Sequence, residues 1–194
     1  MGENDNQVPS ALVRVGDRTL AVRSATLVKR GLALAESLQP DDAAAHHSLG
    51  NALYAKGDLD GAIAEYRTTI RLQPGDAAAH YSLGLALRDK GDLDGASAEY
   101  RTAIRLQPDH ASGHSCLGLA LTKQGDLGGA IAEFREVLRL YPNSSWAHFV
   151  LGLTLEMKGD RRAALEELRT AYLLDPKNST IAQQYERLLR EVNR

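Results

Sequence analysis

Histidine is the residue whose recurrence most invites a chemical reading. His46, His80, His114 and His148 return at a fixed interval of 34 residues, and imidazole is a common metal ligand. The spacing argues against a metal. Each histidine belongs to a separate copy of a repeated segment, and packed helices lie about 8–10 Å apart, too far for two imidazoles to share one ion. His47 and the Asp109-His110 pair do not complete a ligand cluster. A histidine among alanines on a packing face is expected to be a half-buried ring that hydrogen-bonds locally.

Other groups are equally poor in catalytic arrangement. Cys116 is the single cysteine and has no activating base in sequence reach. No phosphate-cradling glycine loop, nucleophile elbow or paired metal motif occurs, so no enzyme activity and no cofactor are expected. Arg67, Arg71, Arg101, Arg105, Arg135, Arg139 and Arg169 are spaced to share one outward face. Such a stripe could follow a phosphate backbone. The competing reading is a solvated face neutralised by Glu65, Glu99, Glu133, Glu167 and nearby aspartates, and the balanced charge of the chain favours it.

These residues are positioned by a unit of 34 residues that starts at Ala43, Ala77, Ala111 and Ser145 without a gap. Aligning the copies stacks Leu49, Leu83, Leu117 and Leu151 in one column and Gly50, Gly84, Gly118 and Gly152 in the next. Further columns hold Gly57, Gly91, Gly125 and Gly159; Ala62, Ala96, Ala130 and Ala164; and Pro74, Pro108, Pro142 and Pro176. A fixed period of this length signals a solenoid. The leucine-glycine pair, the later alanine, the aromatic four residues on and the closing proline make this unit similar to the tetratricopeptide repeat. One departure is consistent: the family's usual tryptophan column holds the four histidines. The resemblance covers residues 43–178 and implies an all-α solenoid of antiparallel helix pairs whose concave groove receives peptides.

Bulk numbers agree with a packed helical chain. Of 194 residues, 23 are Lys or Arg and 25 Asp or Glu, a net charge of −2 that gives no general pull toward nucleic acid or an anionic membrane. Two Phe and one Trp within 43% hydrophobic residues leave Ala and Leu to fill closely spaced helices. A lone cysteine cannot form an internal disulfide. With no apolar run of membrane-spanning length and a polar start, the expectation is a cytoplasmic protein.

In order, residues 1–23 read as a tail, with Ala11 to Val22 either a hairpin about Gly16-Asp17 or a short irregular helix. Residues 24–42 carry helical spacing up to Pro40 and read as the second helix of an incomplete repeat. Four repeats follow at 43–76, 77–110, 111–144 and 145–178, and 179–194 reads as a capping helix with a polar outer face. Within a unit, the first helix stops at Lys56-Gly57-Asp58, Asp60 or its neighbour caps the second, and Pro74 closes it.

Positions 4, 7, 8 and 11 of each first helix fall on one arc and are assigned to packing. Positions 2, 5, 9 and 12 fall opposite, and their residue types vary between copies. A position released from repetition is available for recognition. The candidate groove residues are His47, Asn51, Tyr54, Tyr81, Leu85, Arg88, Leu119, Trp146, Phe149, Leu153 and Glu156. The competing reading tucks Trp146 and Phe149 under a neighbouring helix. Some members of the resembling family clamp a C-terminal carboxylate with Lys, Asn and Arg. Here only Asn51 matches, and His47, Ser82, Ser112 and Cys116 supply no fixed positive charge. The preferred function is a protein-interaction adaptor binding a peptide or partner segment, as a monomer or weak self-associator. A self-associating scaffold and an accessory domain of a larger enzyme remain as alternatives.

Overall fold

The computed structural model describes residues 42–193. Within them lie α1 (Ala43–Lys56), α2 (Leu59–Leu72), α3 (Ala77–Lys90), α4 (Leu93–Leu106), α5 (Ala111–Gln124), α6 (Leu127–Leu140), α7 (Ser145–Met157), α8 (Arg161–Leu174) and α9 (Ser179–Val192), and no strand among the described residues. The expectations for residues 1–41, the hairpin or irregular helix and the following helix, lie outside the described residues.

Local chemistry sets the boundaries. Asp42 accepts from the backbone N–H groups of Ala44 and Ala45, and Asp76 does the same for Ala78 and Ala79. These are the orphan donors of a helix start. Gly57, Gly91, Gly125 and Gly159 carry φ of 82°, 92°, 85° and 94° at the turn within each pair, a left-handed backbone that side chains resist. The residue capping the next helix is Asp58, not Asp60. Its carboxylate receives Gly61 N–H at 2.9 Å, and Asp92, Asp126 and Asp160 repeat the contact. Asp60 instead sits in the first turn, where its negative charge suits the helix dipole.

Turns of two residues, three between α7 and α8, fold one helix back on the next, so α1 packs on α2, α3 on α4, α5 on α6 and α7 on α8. The second glycine column lets each pair close tightly. A Cβ at Gly50, Gly84 or Gly118 would stand 2.6–2.7 Å from the ring of Tyr66, Tyr100 or Phe134, and at Gly152 it would meet Leu168 at 2.9 Å. The three rings and Leu168 are almost wholly buried.

The first helix of each pair is more enclosed than a four-position arc allows. In α5 every residue from Gly113 to Gly118 is buried, as are Ala120 and Leu121. The reason is that such a helix packs on its partner, on the second helix of the pair before it, and on the neighbouring first helix: α1 touches α3, and α3 touches α5. Contact along the first helices draws them together on one side of the stack, its inner face.

The last described helix, α9, stands in the register of a first helix. Ile181 and Leu188 are buried against α8, and Tyr185 stacks on Tyr172 with ring centroids 5.5 Å apart. In α9 the close-approach glycine is replaced by Glu186, which is exposed. A glutamate there would collide with the ring of a further second helix, so the geometry of the preceding pairs does not continue through α9. Its exposed Gln183, Glu186, Arg190 and Glu191 give the polar outer face of a cap, although Arg187 turns inward.

Candidate functional site

The inner face is built from α1, α3, α5 and α7, and its polar residues are tied to one another across neighbouring pairs. Tyr54 donates its hydroxyl to Asp89, which also receives the Arg88 guanidinium at 2.7–2.8 Å. Burial and the adjoining carboxylate push the Tyr54 phenol up to about 12. The same carboxylate holds Arg88 above its ordinary value against the opposing effect of burial. His47 Nε2 lies 3.2 Å from Ser82 Oγ, and its ring meets Tyr66 edge-on at 5.7 Å. Asn51 accepts the Tyr66 hydroxyl at 2.8 Å, and Glu156 takes Arg187 of α9 at 2.7 Å.

The apolar residues form the other half of this surface. Tyr81, Leu85, Leu119, Trp146 and Phe149 are half-buried and rest on the core, and Leu153 is half-buried as well. Each keeps one side against the solenoid and one toward solvent. Trp146 presses edge-on against Phe134 of the preceding pair, centroids 6.2 Å apart. The ring is half-buried, with one side taken up by this packing. Tyr81 is held more firmly: its hydroxyl sits 3.7 Å from Cys116 Sγ, and its ring meets His110 at 4.8 Å.

Two expectations need correction here. Ser115, at a variable position in α5, is buried, so the inner face is interrupted there. The glutamates expected to neutralise the outer arginines are engaged elsewhere. Glu65, Glu99, Glu133 and Glu167 each lie 2.6 Å from the Nδ1 of His46, His80, His114 and His148. Of the arginines in the outer stripe, Arg139 pairs with Glu136 and Asp109.

Position-by-position variation overlooked Asp89, Ser82 and Arg187. Asp89 had a usable signal, because its column reads Ala55, Asp89, Lys123 and Met157 and is as variable as those selected. Arg187 was invisible because α9 lies past the last full unit.

Cys116 is buried between the phenols of Tyr81 and Tyr100, and burial pushes its thiol up, away from nucleophilic character. Among the described residues no group of three or more His, Cys, Asp and Glu gathers where a metal could be held. None of the described helices is long and apolar enough to cross a membrane.

A family model for the tetratricopeptide repeat matches residues 10–77, 47–111 and 81–145, beginning inside the segment read above as a tail. No curated protein matches the chain. Solved structures share the fold at low identity. One is YrrB, described as a TPR protein with an unusual peptide-binding site, at 23% identity over 86% of this chain and 88% of that one, TM-score 0.74. A structure of MamA is 22% identical over 87% of this chain and 98% of that one, TM-score 0.73. PilF of Pseudomonas aeruginosa is 23% identical over 78% and 69%, TM-score 0.67.

Proposed function

This chain belongs to the tetratricopeptide repeat family, and on that premise we propose that it is a non-enzymatic adaptor whose inner face holds an extended or helical segment of a protein partner. We take residues 43–76, 77–110, 111–144 and 145–178 as its four repeats, with 179–194 as the cap. One observation carries the reading: Leu85, Leu119, Phe149 and Leu153 lie along the first helices, each packed in part and each leaving apolar surface open to solvent. Apolar side chains with one wet side in a concavity are anchors for a partner's own apolar residues. The surrounding polar groups support the same use. Tyr54, Asp89, Arg88, Glu156 and Arg187 already satisfy one another, so a ligand meets a preorganised wall and little ordering cost remains. The cytoplasm is the compartment proposed for it, since a lone buried thiol asks for no oxidising environment.

The fold similarity to YrrB, whose own structure is described through its peptide-binding site, is support by likeness only. Association through the α9 end in the geometry of the repeats is disfavoured by Glu186. A peptide-library selection on the full chain tests the proposal. Recovered peptides should carry apolar residues at regular spacing and shift the emission of Trp146, the single tryptophan. Leu85→Ala with Leu153→Ala should weaken them by about tenfold or more, an anchor effect above 1 kcal/mol. Unchanged affinity in a folded double variant would refute the groove assignment.

A further inference from the structure

The four histidines first weighed as metal ligands have a different arrangement. Each sits near the start of a first helix and lies 2.6 Å from a glutamate of the second helix in its own pair. In three of them the other ring nitrogen meets a backbone carbonyl in the link from the preceding pair. His80 Nε2 is 3.1 Å from the Pro74 oxygen, His114 Nε2 is 2.9 Å from that of Pro108, and His148 Nε2 is 3.0 Å from that of Pro142. One imidazole therefore ties together the link behind it, its own helix and the helix ahead.

A carbonyl oxygen can only accept, and so can an ionised carboxylate. A neutral imidazole has one N–H and one lone pair, so it satisfies one partner and turns a lone pair on the other. Both contacts are made only if the histidine–glutamate unit keeps one additional proton. That proton places N–H on both ring nitrogens beside an ionised glutamate. Passed to the carboxyl, it leaves Nε2–H to the carbonyl and O–H to Nδ1.

We propose that His80, His114 and His148 are clamps that lock successive helix pairs together, and that at His114 raising the pH through and above neutral releases the additional proton and loosens that joint.

The charged groups around the rings agree. Glu133 holds the His114 imidazole above the ordinary histidine value, with Glu136 of the same helix adding to it and burial opposing. His110, packed before α5, faces His114 and is itself driven down by burial and by that neighbour. For His80 and His148 the facing carboxylates are Glu99 of α4 and Glu167 of α8. A proton held more tightly when folded contributes stability that is complete below the unfolded histidine value and is lost as pH rises through the clamp value. His46 shares the glutamate contact with Glu65.

Nitrogen NMR of the histidine rings on the full chain tests this directly, with His110 as the internal control. At pH about 7.5, a unit above the free histidine value, Nε2 of His114 should carry hydrogen together with the proton shared toward glutamate. His110 should show the bare nitrogen of a neutral ring. A His114 that loses its proton alongside His110 overturns the proposal. Glu133→Gln should bring His114 back toward the ordinary range. It should also flatten the fall of the denaturation midpoint between pH about 6 and 9. A pH profile untouched by this substitution is the second refuting result.

Discussion

Tyr66 and Tyr100 occupy the same column and are both buried, yet removing their hydroxyl groups should have opposite effects. The Tyr66 hydroxyl donates to Asn51 at 2.8 Å. In the next unit the asparagine position is Leu85, and the Tyr100 hydroxyl is buried with no hydrogen-bond partner beyond the thiol it lies against. Tyr66→Phe deletes a made hydrogen bond while Asn51 stays free to bind water, a loss of about 1 kcal/mol. Tyr100→Phe deletes an unpaired buried hydroxyl whose cost is about 1–3 kcal/mol, offset in part by the weak thiol contact, for a net gain of about 1 kcal/mol. The third unit already carries the apolar version, Phe134 beside Leu119. Urea denaturation of the full chain should therefore move the midpoint down for Tyr66→Phe and up for Tyr100→Phe. In thermal melts the two should differ by about 4–8 °C, given about 2–4 °C per kcal/mol at this size. Equal destabilisation by both substitutions would refute the reasoning, because it would mean the Tyr100 hydroxyl is fully paired in the folded chain.

Gly91→Ala should cost about 1–2 kcal/mol, since nothing lies within 4 Å of a Cβ there and the whole penalty is the left-handed backbone at φ 92°; the same assay reads it. His110→Asp should stabilise α5 by about 1 kcal/mol in chemical denaturation, because α5 lacks the side-chain cap that Asp42 and Asp76 supply to α1 and α3. Because burial lowers His110, the wild type should lose stability through this residue as pH falls below the unfolded value of about 6.5, and the variant should not. A titration of midpoint against pH from about 7 down to 5 reads the difference between the two chains.

Much of this molecule is written along the chain because its information is local and periodic. The 34-residue columns mark the turn glycines at 57, 91, 125 and 159, and Pro74 lies just past the end of α2. Both depend on backbone conformation alone. The division into packing and inner positions was also legible, because angle around a helix axis follows from spacing. It failed at Ser115, where a third neighbour covers a position that one helix alone leaves open.

Side-chain partnerships were not legible. His47 with Ser82, Tyr54 with Asp89 and Tyr81 with Cys116 are each separated by 35 residues, one period and one more. The histidine–glutamate pairs are separated by 19. Sequence spacing gives direction about one axis, whereas these contacts depend on the distance between two axes and on how tightly the stack curves. The four histidines and four glutamates were both visible as columns, but only the packing of helix on helix assigned them to each other and took the glutamates away from the arginines. Repetition of residue types was thus enough to determine a stack of helix pairs. Which of its polar groups meet was settled by the fold, because a hydrogen bond responds to tenths of an ångström that no periodicity encodes.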